Sequence, residues 1–184
     1  MSGKLVSQET PAERMQIAPA TVEHAAELAE FGARTFYETF AADNTAEDMR
    51  LHLASAWSPD LQRAELMNPR IDTLLARVAG ALAGFAQLRA GHAPPSVATV
   101  APVELLRFYI DKPWQGRGLA RELMQAVERQ ARARGARALW LGVWERNQRA
   151  QAFYRKHGFR KVGTQVFVVG TDPQTDHVML RELA

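Results

Sequence analysis

Apolar positions in the first third of the chain recur at helical intervals. After a short apolar stretch over residues 15–18, Thr21 stands as an N-cap, and Val22, Ala25, Ala29, Phe36 and Phe40 mark one helix face. Thr45-Ala46-Glu47-Asp48 reads as a capping box, a hydroxyl followed three residues later by a carboxylate, ahead of Met49 and Leu53. Ser58-Pro59 sets a cap residue before a proline whose fixed φ suits a first helical turn; a third helix follows over 61–67 and ends at Asn68-Pro69.

The period then changes. Residues 73–78 and 82–88 are short apolar runs joined by Ala79-Gly80-Ala81, the pattern of a β-hairpin. Three prolines and a glycine make 91–102 a loop. Residues 103–110 predict a strand and 111–118 a polar, glycine-bearing turn. Leu119, Leu123, Ala126 and Val127 give 119–134 a helical face, closed by Gly135. Residues 138–143 predict a strand, 148–157 a short helix stopped by Gly158, and 159–169 and 177–183 two strands around a turn at 170–174. Strand, turn, helix, strand is a βαβ unit, with parallel strands and a right-handed crossover. Together with the hairpin it predicts an α/β fold of α+β character, one mixed sheet with helices on its faces.

Composition narrows the function. The chain has 184 residues, 47% of them apolar and 23% charged, as expected of one soluble globular domain. We assign that domain to 14–184, and 1–13 as a flexible tail without a role. With no cysteine, disulfides, thiolate metal sites and cysteine nucleophiles are excluded, and the five histidines are too far apart for a local metal motif. No apolar run is long enough for a membrane span, and the start lacks a secretory core segment, so a cytoplasmic protein is expected. The net charge of +3 is mild, and no helix-turn-helix or aromatic-interleaved basic stretch points to nucleic acid.

Candidate chemistry begins at Gln115-Gly116-Arg117-Gly118-Leu119-Ala120. Glycines at a helix entry let a ligand approach the main chain, and the free N–H groups with the helix dipole attract anions. The spacing fits neither a dinucleotide fingerprint nor a P-loop, and a plain turn is the alternative. Downstream, Asn147, Ala150, Phe153, Tyr154, Lys156, Gly158 and Phe159 form the pattern N…A-x-x-F-Y-x-K-x-G-F. With Gln115, Gly118 and Ala120 as a [QR]-x-x-G-x-[GA] loop, this segment resembles the GNAT family of acyl-CoA-dependent N-acetyltransferases. The strings W-L-G-V-W-E, D-P-Q-T-D and T-F-Y-E-T-F-A-A-D-N-T are also similar to PaiA-type spermidine/spermine N-acetyltransferases.

The resemblance implies a mostly antiparallel sheet with a central parallel pair. It implies acetyl-CoA as cosubstrate, no metal, a small amine acceptor of polyamine type, and a homodimer through the terminal strands as one option. Phe108, Tyr109 and Ile110 would pair their backbone with the pantetheine arm. The amides of 115–120 would hold the pyrophosphate, with Arg117 or Arg121 adding charge, and Asn147 and Lys156 would lie against the cofactor. Asn147 reads equally as a helix N-cap. Tyr154 would protonate the departing thiolate, with Phe153 turned inward and Tyr154 toward the cleft.

An alkylammonium of pKa about 10.4 costs roughly 4–5 kcal/mol to hold neutral at pH 7, and a carboxylate, directly or through water, can accept its proton. Glu104 matches the position where some relatives keep such a glutamate; otherwise it is an exposed strand-start charge paired with Arg107. Glu38, Asp43 and Glu145 are further carboxylates, and Trp114 and Trp144 are candidates for a cleft wall. Two other functions fit the same residues: acetylation of protein or peptide amines, and an acyl-CoA sensor without turnover.

Overall fold

The computed structural model describes residues 15–183, so the tail expected at 1–13 lies outside the described residues. The edge strand β1 (Met15–Pro19) leads into α1 (Ala25–Phe40), α2 (Ala46–Ala56) and α3 (Pro59–Met67). Two of the three sequence-read caps close on α-helices: Thr45 Oγ1 accepts from the Asp48 amide at 3.1 Å and Ser58 Oγ from the Leu61 amide at 3.1 Å, whereas Thr21 starts a short 3-10 turn (Val22–His24) ahead of α1. The hairpin is β2 (Ile71–Val78) and β3 (Ala81–Ala90), turned by Ala79 and Gly80 at φ 50° and 83°. Both are left-handed, as a two-residue hairpin matched to strand twist requires.

Next come β4 (Pro102–Ile110), α4 (Leu119–Ala133), β5 (Ala138–Trp144), α5 (Gln148–Lys156), β6 (Arg160–Val169) and β7 (Asp172–Glu182). The seven strands form one sheet in the order β1-β2-β3-β4-β5-β7-β6. Only β4 and β5 pair in parallel, across α4; the other neighbours are antiparallel. The predicted mixed sheet with a central parallel pair is therefore the observed one.

One boundary needs correction. The turn expected at 170–174 is tighter, and β7 begins at Asp172 rather than 177 because the ladder with β6 runs up to Val169 opposite Asp172. Backbone pairing is indifferent to the polarity of Asp172-Pro173-Gln174-Thr175-Asp176, which reads as a turn only by composition.

The core has two main layers. On one face α4 buries Leu119, Leu123, Met124 and Val127 against Val103, Leu105, Leu139 and Leu141 of β4 and β5. Each such side chain contributes about 1.5–3 kcal/mol by leaving water. On the other face Leu28, Phe31 and Phe36 of α1, Met49 of α2 and Trp57 cover Leu75 and Phe85. Two polar ties hold this second layer in place. Arg34 pairs bidentately with Asp111 just past β4, at 2.8 and 2.9 Å, and Asp48 accepts from the Thr171 amide in the β6–β7 turn at 2.7 Å.

Candidate active site

The site arises where the sheet comes apart. β4 and β5 pair only over Pro102–Glu104 and Ala138–Trp140. Above Glu104, residues 105–110 of β4 have no ladder partner on β5. The register of β4 against β3 also shifts: Leu88 faces Leu105 and Gln87 faces Arg107, leaving Leu106 as a bulge. A bulge re-aims the strand and frees backbone groups from the ladder. The gap widens into a cleft of about 1290 Å³ that runs between the two layers and is lined by Phe108, Tyr109 and Ile110 of β4.

The glycine turn closes one side. Gly116 and Gly118 adopt φ of 77° and 89°, and Gly118 caps α4 without a side chain, leaving the first helix amides open. Gln115 pins the loop in both directions: its Nε2 donates to the Ile110 carbonyl at 2.9 Å, and its Oε1 accepts from Arg149 Nη1 at 2.6 Å. Gly116, Gly118, Ala120 and Arg121 line the cleft. Leu119 is a core side chain and offers a ligand only its main chain. Arg117 is exposed and lies over the Trp114 ring at 5.6 Å, outside the cleft lining, so Arg121 is the arginine of this turn that faces the cleft.

On α5, Asn147 does what its position suggested for a cap, accepting from the Ala150 amide at 3.0 Å, while also lining the cleft. Lys156 is exposed at the cleft rim. The expected split of the two aromatics is reversed. Tyr154 is the more buried ring, at 9% exposure, edge-on to Phe108, Phe153 and Phe159; Phe153 is half-buried and stands 4.5 Å from His157. Both rings border the cleft. Burial, with a smaller effect of Tyr109, pushes the Tyr154 phenol well above the ordinary range, so it carries its proton at neutral pH.

The carboxylates sort themselves by partner. Glu104 is buried, at 6% exposure, and its partner is Arg89 across the β3–β4 ladder, not Arg107. The bulge at Leu106 explains the difference: Arg107 sits opposite Gln87 and pairs with Glu65 instead, its guanidinium 4.5 Å over the Trp57 ring. Burial raises the Glu104 carboxyl above its usual range against the opposing pull of Arg89. Glu38 lines the rim, held by Arg34 at 3.3 Å and Lys112 at 3.8 Å. Asp43 and Glu145 are exposed and lie off the cleft.

A carboxylate that sequence reasoning passed over stands in the cleft as well. Asp176 on β7 is 8% exposed, and no side-chain hydrogen bond or ion pair reaches it among the described residues. Burial lifts its carboxyl to about 6. The signal that could have found it is alternation: Asp176, Val178 and Leu180 share one strand face, and Val178 and Leu180 are core.

Opposite the glycine turn the wall is aromatic. Phe36 lies 4.6 Å from Phe40 and stacks on His52 at 4.2 Å; Phe40 meets Trp144 at 5.9 Å, and His52 meets Phe167 at 5.6 Å. Trp144 thus lines the cleft as expected, while Trp114 packs against the α4 layer. No group of three or more His, Cys, Asp or Glu among the described residues could hold a metal, and no described helix is long and apolar enough to cross a membrane.

A strand pair parted around a bulge and an open helix start beside it leave free main-chain groups along one cleft, with the Tyr154 phenol in its wall. Residues 33–159 match the acetyltransferase (GNAT) family, and the chain belongs to it. It is 34% identical over 149 residues to an uncharacterized N-acetyltransferase of Lactobacillus delbrueckii subsp. lactis, covering 81% of this chain and 86% of that protein. It is 38% identical over 161 residues to an uncharacterized N-acetyltransferase of Mycobacterium tuberculosis strain H37Rv, covering 85% and 96%. The N-alpha-acetyltransferase RimI of the same organism is 35% identical over 108 residues, 58% of this chain and 63% of that one. Among solved folds, the PaiA N-acetyltransferase of Thermoplasma acidophilum, in complex with coenzyme A, superposes with a TM-score of 0.76 at 21% identity, covering 92% and 99%.

Proposed function

We propose that the protein transfers the acetyl group of acetyl-CoA to a primary amine within a ternary complex, with a polyamine such as spermidine as acceptor. The observation that carries this reading is the parting of β4 from β5 above Glu104 with Tyr154 in the gap. Free edge groups of Phe108, Tyr109 and Ile110 suit an extended amide-bearing arm, added as a strand would be. The open amides from Gly116 to Ala120, at the positive end of α4, suit a diphosphate, with Arg121 and Lys156 as cations at the rim. Asn147 faces the same arm.

Tyr154 supplies the proton to the departing sulfur. A thiol has a pKa of about 8.5, so a phenol held protonated can meet the thiolate as the bond to carbon breaks. Glu104 shapes the closed end of the cleft, tied to Arg89.

The polyamine acceptor is supported by the aromatic wall, since ring faces attract ammonium groups and cover the methylenes between them. The similarity to RimI favours a second reading, in which the acceptor is the amine of a peptide or protein. We place the reaction in the cytoplasm, and the edge strand β6, exposing Val166 and Val168, is the surface a homodimer would use.

The test is thiol release from acetyl-CoA with spermidine, a peptide amine and an aminoglycoside. Release with spermidine that falls at least tenfold in Tyr154→Phe, with acetyl-CoA affinity kept, is expected. Release only with the peptide selects the second reading. Binding without release on any amine means a sensor, and an undiminished rate in Tyr154→Phe removes the phenol from its role.

A further inference from the structure

We propose that Asp176 is the catalytic residue that receives the acceptor's ammonium group and takes its proton, an inference that rests on the acetyltransferase reading above. Three features of the fold place it there. Asp176 faces the cleft from β7, directly opposite Trp144 of β5 in the antiparallel register. Between Trp140 and Trp144 on the same strand face stands Gly142, and a Cβ there would lie 2.9 Å from Asp176 Oδ2 and 2.6 Å from Gln165 Nε2. The missing side chain thus leaves the space that the carboxylate shares with the Gln165 amide. Third, Tyr109 and Tyr154 line the same cleft as Asp176. The acid and the carboxylate therefore share one cleft.

Comparison with the other cleft carboxylates singles it out. Glu104 is answered by Arg89, and Glu38 by Arg34 and Lys112, whereas Asp176 is buried with no cation against it among the described residues. A buried carboxylate without a partner is unfavourable, and a cationic ligand would relieve that cost. Glu104 also sits at the closed end, level with Trp140, whereas Asp176 is level with Trp144, about 13 Å further along β5 at ~3.3 Å per residue. Phe40, Trp144 and Phe167 wall the approach with ring faces suited to an ammonium.

The proton balance closes within these residues. Asp176 takes one proton from the ammonium, leaving a neutral amine whose lone pair forms the new C–N bond at the acetyl carbon. As the C–S bond breaks, its electron pair leaves with sulfur, Tyr154 protonates that sulfur, and the phenol regains a proton from the new amide nitrogen directly or through water. Asp176 returns its proton to solvent through the cleft, so each turnover yields an amide, a thiol and one released proton. The titratable and charged groups that line the cleft with Asp176 include Tyr109 and Arg107 from β4, His52 from α2, Glu38 from α1 and Lys112, which pairs with Glu38.

The experiment compares wild type with Asp176→Asn, a substitution of nearly equal shape, using spermidine as acceptor. We expect kcat/KM at pH 7.5 to fall about 100-fold or more while calorimetric affinity for acetyl-CoA stays within about twofold. Wild-type kcat should rise to a plateau through pH about 6, where the carboxyl loses its proton; the variant should lack that limb and climb toward pH 9–10, where free amine becomes abundant. A variant within about threefold of wild type overturns the proposal, as does a loss of acetyl-CoA affinity alongside the loss of rate. So does a larger loss in Glu104→Gln than in Asp176→Asn. A wild type that ignores spermidine but acetylates a peptide amine overturns only the polyamine acceptor, and the same comparison is then read on the peptide. A wild type inert toward every amine overturns the transferase reading and the role of Asp176 with it.

Discussion

Arg89 donates through Nε to Glu104 Oε2 at 2.7 Å, joining two residues that face each other across the β3–β4 ladder at the closed end of the cleft. The pair is asymmetric, because the carboxylate is buried while the guanidinium side chain is 37% exposed. Burial outweighs Arg89 in its effect on the Glu104 carboxyl, so removing the glutamate's charge relieves a desolvation cost. We therefore expect Glu104→Gln to melt within a few degrees of wild type. Arg89→Ala, which strands the carboxylate, should cost about 2 kcal/mol after allowance for its exposure, or roughly 4–8 °C in Tm. Thermal melts of the two variants check the order; a larger loss in Glu104→Gln would contradict it.

Asp176 makes a stability prediction separate from its activity. Its carboxyl rises from 3.8 to about 6 on folding through burial alone. The folded protein thus binds this proton more tightly than the unfolded chain does. Stability from the site is greatest below pH about 4 and declines as pH rises through about 6, by about 3 kcal/mol at most. Asp176→Asn has no such group to ionise. Its Tm relative to wild type should therefore be higher at pH 8 than at pH 4, by up to roughly 6–12 °C. Melts at the two pH values measure the difference, and a gap that does not grow with pH would mean the carboxylate is not buried unpaired.

Gly32, inside α1, inverts a common expectation. Alanine in place of an interior helical glycine ordinarily gains up to about 1 kcal/mol. Here a Cβ would come within 1.9 Å of Trp57 Cζ3 and 2.2 Å of its Cε3. That indole cannot retreat, being packed edge-on against Phe85 at 6.1 Å and Tyr109 at 5.7 Å, with Arg107 over its face. Gly32→Ala should lose about 1–3 kcal/mol, a fall of roughly 2–12 °C in Tm. Since Trp57 and Tyr109 also line the cleft, the KM for the amine should rise with it. A stabilised variant would show that the indole has room to move.

Reading the chain residue by residue recovers the five α-helices and the strands from β2 to β6, and it recovers the cap residues Thr45 and Ser58; it leaves β1 as an apolar stretch and places the start of β7 too late. It also finds the glycine turn, Asn147 and Tyr154. It misjudges which of Phe153 and Tyr154 is buried, because neighbouring helix positions differ by about 100° and the sequence does not say where the layers meet. It pairs Glu104 with Arg107 because the two are close in sequence, whereas the bulge at Leu106 and the antiparallel register put Arg89 beside it.

What the sequence determined by itself is local: periodicity, caps and the left-handed glycines depend on residues a few positions apart, and their energies act before any strand finds its partner. What only the tertiary structure decided is who stands beside whom. β7, from the end of the chain, enters between β5 and β6, and that insertion brings Asp176 opposite Trp144 and into the space left by Gly142. Likewise, three rungs of parallel pairing and then a parting make the cleft. Register between distant strands is settled by the packing of whole faces, so no short stretch of residues carries it.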